Sequence, residues 1–424
     1  MALSGRFNNH PNRRQFLKTS TFALAGAALA KPLAWTSQSA APTASASQKR
    51  LGVALIGCGS YGGRLLRECL QNHVNWQIDF PAVCDVWRPQ SEAAADAIES
   101  ATGKRPKIFS RYSDVLAMDE VDCVIIATPD FSHTSILVAA AYAGKQIYVE
   151  KPLAISLEQA DAALNAVLQN NTILQVGTQF RSLPQFAEAA RLVQDGALGK
   201  ILKVDTIYNR KEFRWDQRDT SDVDEKDVDW EQFLMQLPPR PFDARQLRMW
   251  RLYRDYTAGI TGLLGTHVID IAHWLTDSGP PVSATGIEAW LIGQESETAD
   301  FQECLFTYEN GMVLNSSCRS GNSEPRSQIN FYGTKGTLHC PFSTGATLTL
   351  SPDGASDDDP VEAREIRPAA APGHLENWFD CIRKGTTKTN ADIYAGYAHA
   401  VTATLATQSA REGRRIHFEP STKI

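Results

Sequence analysis

The residues of this chain best suited to chemistry are Lys151, in the run Glu150-Lys151-Pro152, and His267, in Gly265-Thr266-His267. Hydride can leave a carbinol carbon only as the hydroxyl proton is lost, so a base must reach that oxygen. A lysine can be that base once burial or a neighbouring cation lowers its pKa. A second set of residues suits the hydride acceptor. Gly57-Cys58-Gly59-Ser60-Tyr61-Gly62 spells G-x-G-x-x-G. The first glycine permits a tight turn, the second lets a pyrophosphate approach the backbone, and the third lets a helix pack close to a strand. Ser60 and Tyr61 open that helix, whose N-terminal amides point at phosphates. Asp85 lies 23 residues after Gly62. A carboxylate there accepts from a ribose 2′-hydroxyl and repels a 2′-phosphate, which favours NAD. Arg88, three residues on, could offset that charge and admit NADP.

These residues need strands that end where they begin. Val53 to Ile56 is a short apolar run of the kind buried in a parallel sheet. Leu65, Leu66, Cys69 and Leu70 give the following helix an apolar face. Phe80 to Cys84 leads to Asp85, and Val121 to Ala127 leads to Thr128-Pro129-Asp130-Phe131-Ser132-His133. Gln146 to Val149 leads to Glu150-Lys151-Pro152, where a cis bond before Pro152 would set the direction of the lysine. Ser156 and Gln159 form a capping box for the next helix, and Ile173 to Val176 is the last strand. Ligands of an open α/β sheet sit at the carboxyl ends of its strands. Gly57, Asp85, Thr128 and Lys151 all occupy such ends, and Pro129, His133 and Glu150 adjoin them. Further along, Ile201 to Tyr208, Ser283 to Ile292, Phe301 to Tyr308, Met312 to Cys318, Gln328 to Tyr332 and Ala346 to Leu350 read as strands. Asn310-Gly311 is a two-residue hairpin turn. The fold class is α/β: a Rossmann domain at 49–180, then an α/β domain with a large, mostly antiparallel sheet at 181–424.

The pattern resembles the glucose-fructose oxidoreductase/inositol dehydrogenase (Gfo/Idh/MocA) family from about residue 50 to the C-terminus. The resemblance rests on the glycine loop, Thr128-Pro129 and Glu150-Lys151-Pro152. It extends through Val176-Gly177-Thr178-Gln179, Arg181, Asp229-Trp230, Gly265-Thr266-His267 with Asp270, Gly333-Thr334-Lys335-Gly336-Thr337 and Gly413-Arg414. It implies an NAD(P)-dependent oxidoreductase acting on a hydroxyl or keto carbon of a sugar or polyol. Lys151 would then stand at the reacting hydroxyl and His267 would assist proton transfer. His267, Asp270 and Ile271 share a helix face by their i, i+3, i+4 spacing, so Asp270 is expected to orient the imidazole. Gln179, Arg181, Asp270 and Tyr256 are the candidate substrate residues. Tyr208, Asn209, Arg210, Arg248, Trp250 and Arg251 could line a sugar pocket, although packing is the commoner use of Trp230 and Trp250.

One position departs from the family. Many of its dehydrogenases carry an aspartate four residues before the histidine, and Leu263 stands there in this chain. The Asp-His-Lys relay is therefore incomplete, with Tyr253, Asp255 and Tyr256 just upstream as substitutes. Besides a dehydrogenase, two readings remain open. One is an NAD-dependent glycoside-cleaving enzyme that oxidises C3 transiently. The other is a catalytically idle dinucleotide- or sugar-binding homologue.

Composition narrows the partners. The net charge is −6, and residues 1–48 hold five basic residues and no acidic ones, so the remainder is more acidic still. Such a surface gives no electrostatic reason to bind nucleic acid. None of the eight cysteines forms a CxxC pair, and they read as small buried core residues. His267, Asp270 and His273 have poor helical spacing for a metal, and no metal is expected. Asn12-Arg13-Arg14-Gln15-Phe16-Leu17-Lys18, the apolar run Thr19 to Ala30 and the small-residue sites Ala28-Leu29-Ala30 and Ala44-Ser45-Ala46 look like a twin-arginine export signal and linker over 1–48. Twelve helical residues rise about 18 Å, short of the bilayer core of about 30 Å. Export by that machinery carries folded proteins, so a periplasmic or otherwise exported enzyme with a tightly bound dinucleotide is expected. A large sheet also suggests a homo-oligomer. Asp357-Asp358-Asp359 reads as a solvated loop.

Overall fold

The computed structural model describes residues 49–211, 218–293, 295–353, 364–366 and 372–419. The twin-arginine run, its linker and the Asp357-Asp358-Asp359 run lie outside the described residues.

Six parallel strands form the first sheet: β1 Leu51–Ile56, β2 Ile78–Cys84, β3 Lys107–Phe109, β4 Cys123–Ile126, β5 Gln146–Val149 and β6 Leu174–Val176, in the order β3-β2-β1-β4-β5-β6. Every residue of β4 is buried, as its unbroken apolar run requires of a strand covered on both faces. The order reverses between β1 and β4, so a crevice opens at their carboxyl ends. Gly57 follows β1, Asp85 follows β2, and Lys151 follows β5 by two residues. The helix Leu157–Gln169 is capped by Ser156, whose hydroxyl accepts from the Gln159 amide at 3.2 Å. The return bond of the expected capping box is shifted by one residue: Gln159 Oε1 accepts from Ile155 N at 3.1 Å.

The second sheet has nine described strands: β7 Ile201–Asn209, β8 Ser283–Ala289, β9 Phe301–Thr307, β10 Val313–Arg319, β11 Gln328–Gly333, β12 Gly336–Pro341, β13 Leu348–Pro352, β14 Arg364–Ile366 and β15 Ile416–His417. Their order is β14-β13-β12-β11-β7-β10-β9-β8-β15. Neighbours are antiparallel except β7 with β10, which run parallel. Asn310-Gly311 makes the β9–β10 turn, with Gly311 at φ +83 and the Tyr308 and Met312 backbones paired. One face of the sheet packs on the helices Thr266–Thr276 and Ile393–Glu412.

The C-terminal stretch also returns to the first sheet. The helix His374–Lys384 buries Leu375, Trp378 and Phe379 against β1, β2 and their neighbours. Trp378 Nε1 donates to Ile173 O at 3.3 Å, and Thr389 Oγ1 donates to Leu174 O at 2.7 Å. A boundary drawn once, at residue 180, therefore leaves out part of the Rossmann layer. All eight cysteines are buried and free. Among the described residues, no helix is long and apolar enough to cross a membrane.

Candidate active site

The glycine loop forms an open cradle. Gly57 has φ +90, and a Cβ there would come within 2.7 Å of the Ala127 carbonyl group. A Cβ on Gly62 would collide with the Gly57 carbonyl oxygen, so the helix can lie this close only with glycine. A Cβ on Gly59, by contrast, would meet nothing within 4 Å. The helix Ser60–Asn72 starts at Gly59 with no side-chain cap and no acidic residue in its first turn. Its first N–H groups are thus left for a ligand, and the helix dipole favours an anion there. These features fit a dinucleotide pyrophosphate.

Asp85 borders the same cavity. Its Oδ2 accepts from Cys58 N at 2.6 Å and its Oδ1 from Trp87 N at 2.9 Å. Burial raises its pKa to about 6, and those two amides restrain the rise. Each oxygen keeps a second lone pair for a ribose hydroxyl. Arg88 does not face the cavity, which corrects its assignment to the cofactor. It stands at the start of the helix Arg88–Thr102, largely exposed, with its guanidinium paired to Asp227. Thr128 and Pro129 line the cavity, and Thr128 Oγ1 accepts from the Ser132 hydroxyl at 2.7 Å. His133 also touches the cavity, but its ring is committed to the backbone. Nδ1 lies 2.8 Å from Pro152 O, and Nε2 lies 2.9 Å from Thr128 O. It ties together the loops that follow β4 and β5. Glu150 is buried, accepts from the Tyr148 hydroxyl at 3.2 Å, and occupies space that only a glycine at 177 leaves open.

Lys151 projects into this cavity, and the Lys151–Pro152 bond is cis. Its ammonium donates to the backbone carbonyl of Leu263 at 2.5 Å. A π-helical turn, Thr261–Gly265, lies at that point, the sort of irregular turn that recurs at functional sites. The position where the family has an acid thus presents a main-chain oxygen, while the Leu263 side chain packs with Phe131, Trp250 and Leu264. Burial drives the Lys151 pKa down, and Asp130 and Glu150 restrain the fall.

His267 lines the same cavity. Its ring faces Tyr208 at 6.2 Å and meets the edge of Phe180 at 5.3 Å. Burial and the Lys151 charge hold it far below the usual imidazole range, so it is neutral. Its buried Nδ1 has no hydrogen-bond partner.

All four substrate assignments are corrected by the structure. Arg181 Nε pairs with Asp270 Oδ2 at 2.7 Å, and both side chains are buried away from the cavity. Asp270 turns to Arg181 and to His399, 3.6 Å away, rather than to His267. Burial alone would raise the Asp270 pKa, but Arg181 and His399 hold it well below the carboxylate range. Helical spacing put Asp270 on the His267 face correctly, yet one turn further along, that face has left the cavity for the core. Tyr256 is fully buried; its hydroxyl donates to Gln246 Oε1 at 2.6 Å, and its ring packs on Phe131. Gln179 also stays off the cavity wall, beside the Tyr61 hydroxyl. Asp255 is taken by Arg240, so no upstream group replaces the missing acid. Asp229 caps the turn Trp230–Leu234, and Trp230 stacks on Phe233 at 4.8 Å. Trp87, Gln90 and Arg218 line the cavity without having been singled out by sequence. Trp87 and Arg218 sit in connections and Gln90 in the first turn of the helix Arg88–Thr102, none within a motif of its own. Arg210, Arg248, Trp250 and Arg251 do border it.

Together these groups enclose about 670 Å³, within the usual range of cofactor and substrate pockets. Comparison with known proteins agrees with the geometry. Residues 51–178 match the model of the oxidoreductase family with an NAD-binding Rossmann fold (GFO/IDH/MocA), and residues 232–339 match the GFO/IDH/MocA C-terminal domain. A scyllo-inositol 2-dehydrogenase (NAD(+)) of Bacillus subtilis is 44% identical over 314 residues, covering 72% of this chain and 80% of the relative. The chain belongs to the Gfo/Idh/MocA family. D-apiose dehydrogenase of Paraburkholderia graminis is 25% identical over 402 residues, 88% of this chain and 90% of the relative. Levoglucosan dehydrogenase of Pseudarthrobacter phenanthrenivorans is 29% identical over 183 residues, 43% of this chain but only 40% of the relative. The fold matches an aldose-aldose oxidoreductase of Caulobacter crescentus complexed with glycerol, with TM-score 0.66 and 19% identity over 87% of this chain and 100% of the other. This member of the family is an oxidoreductase with an NAD-binding Rossmann layer and a largely antiparallel second sheet. Among the described residues, no group of three His, Cys, Asp or Glu side chains could hold a metal ion.

Proposed function

We propose that the protein is an NAD-dependent dehydrogenase that interconverts a hydroxyl and a keto carbon of a sugar or polyol. The observation that carries this is Lys151, at the carboxyl end of β5, in one cavity with the open glycine cradle and His267. When bound, the dinucleotide accepts or returns a hydride. The chain's own residues handle the proton. Neutral Lys151 takes the proton of the substrate hydroxyl, and the Leu263 carbonyl holds the resulting ammonium in place. Neutral His267 offers a hydrogen bond beside it, its ring fixed between Tyr208 and Phe180. The apolar side chains of Leu263 and Leu264 line part of this end of the cavity.

Asp85 in the cavity, with Arg88 turned to Asp227, favours NAD over NADP. The twin-arginine run and following apolar segment support export, and export supports a dinucleotide that stays bound. Ile287 on β8 and Leu305 on β9 are both at least half exposed, and their side of the second sheet suits a homo-oligomer contact. The test is to purify the protein without added nucleotide, denature it and identify any released dinucleotide by mass spectrometry. Near-stoichiometric NAD is expected. Turnover is then followed on a panel of polyols and aldoses; a keto product with matching NADH is expected. An aglycone released from a glycoside with no net NADH would favour cleavage instead.

A further inference from the structure

Several arginines on the surface of this molecule are paired with carboxylates. Arg105 meets Glu92, Asp96 and Glu99, Arg191 meets Glu188 and Asp195, and Arg245 meets Glu295. At the cavity, Arg248 is paired too, with Asp222 at 3.2 Å, and lies over the Trp87 ring. Arg251, Arg210 and Arg218 differ: all three line the cavity and none has a carboxylate ion pair among the described residues, and of these Arg251 and Arg210 are the ones whose charges act on Lys151. The Arg251 guanidinium lies 4.0 Å from the centre of the Trp250 ring. That of Arg210 lies 5.6 Å from the Tyr208 ring and, among the described residues, donates only to the Tyr208 hydroxyl, at 3.3 Å. Stacking covers a face of a guanidinium and leaves its in-plane N–H groups unused.

Of the acids of the cavity, Asp130 offsets the Arg251 charge in part, and among the described residues none forms an ion pair with Arg251 or Arg210. Asp130 accepts from the Thr257 hydroxyl at 2.8 Å, Glu150 from Tyr148, and Asp85 from two backbone amides. A sheltered cation without an ion-paired carboxylate is costly to keep, and two of them beside a lysine are costlier still. Burial lowers the Arg251 pKa only to about 10, so it remains charged at neutral pH. Both guanidinium charges act on Lys151, which places them at the reacting end of the cavity. The dinucleotide phosphates have their own cradle at the helix Ser60–Asn72, and Asp85 marks the ribose end.

We propose that the substrate carries an anionic group, a carboxylate or a phosphate, and that Arg251 and Arg210 receive it while its reacting hydroxyl meets Lys151. This rests on the sugar or polyol dehydrogenase reading and narrows its substrate class. A carboxylate or phosphate matches the fork of a guanidinium and takes up N–H groups that a neutral sugar would fill only in part.

The test uses the full chain loaded with NAD and three matched substrates: glucose, glucuronate and glucose 6-phosphate. NADH formation gives kcat/KM for each. At least one anionic sugar is expected to exceed glucose by about tenfold or more, and the stronger of the two identifies carboxylate or phosphate. In Arg251→Gln and in Arg210→Gln that ratio should fall by about tenfold, with Arg251→Lys partly restoring it. NAD affinity, read by protein fluorescence, should stay within about threefold of the wild type, because the dinucleotide phosphates have their own cradle. Equal use of glucose and both anions, or a ratio unmoved in both variants, overturns the proposal and leaves the dehydrogenase reading standing. A parallel loss of NAD affinity also overturns it, because the guanidiniums would then serve the cofactor. If no sugar or polyol of any charge is bound or oxidised, the underlying reading falls and this proposal with it.

Discussion

If Lys151 is the base, the pH dependence of turnover is set by its surroundings. Burial lowers its pKa to about 8, against the pull of Asp130 and Glu150. The working form is the neutral amine, so kcat/KM should rise with pH and level off above that value. At pH 7 about a tenth of the lysine is neutral, and kcat/KM should be about a tenth of its plateau. Asp130→Asn removes the anion that most favours the ammonium. The sign is fixed: losing a negative neighbour lowers the lysine pKa, so the rising limb moves to lower pH. A move of about one pH unit corresponds to ~1.4 kcal/mol of lost attraction. The assay is initial NADH formation at low substrate from pH 6 to about 10, in both proteins. Lys151→Ala should retain dinucleotide binding and lose at least about two orders of magnitude in turnover. A flat profile across the range, a limb that moves upward in Asp130→Asn, or near-normal turnover in Lys151→Ala would refute the assignment.

Other perturbations test the supporting structure. Leu263→Asp puts a carboxylate beside Lys151 and His267, so the rising limb should move to higher pH; its burial among apolar side chains should also lower the melting temperature. Gly57→Ala forces a Cβ against the Ala127 backbone at positive φ, so dinucleotide binding, measured by calorimetry, should be lost or nearly so. Arg181→Met leaves Asp270 buried without its main partner, and denaturant melts should show a loss of about 3–5 kcal/mol with the pH profile of turnover unmoved. Asp85→Asn should narrow the preference for NAD over NADP, read as the ratio of their dissociation constants.

The glycine loop and the strand-end residues could be read from sequence because parallel strands buried on both faces are short apolar runs, and the residue after each run must lie at the crevice. Other features depended on contacts distant in the chain. β3 is three residues long and only partly buried, so its sequence carries no apolar run. The parallel pairing of β7 with β10 joins segments about a hundred residues apart, which alternation alone cannot register. Trp290 to Ile292 continue the apolar run of β8, but the Asp300 carboxylate collects the amides of Leu291, Ile292 and Gly293 and ends the strand. The helix His374–Lys384 reveals its place only through Trp378 and Phe379 in the Rossmann core. Spacing on the helix Thr266–Thr276 gives direction but not depth. It grouped Asp270 with His267, while Arg181 and His399, from remote parts of the chain, decide where that carboxylate turns. The main-chain answer to the missing acid, Leu263 O, has no side-chain signature at all.

The most direct test of the dehydrogenase assignment is a single turnover. Polyols and aldoses, neutral and anionic, are mixed with the NAD-loaded protein, and the near-ultraviolet absorbance of reduced nicotinamide is recorded for the wild type and for Lys151→Ala. The expected result is rapid reduction by at least one substrate in the wild type, with a keto product, and reduction at least about a hundredfold slower in the variant. No reduction by any of them in a protein that binds NAD, or equal rates in the two proteins, would contradict a dehydrogenase in which Lys151 moves the proton.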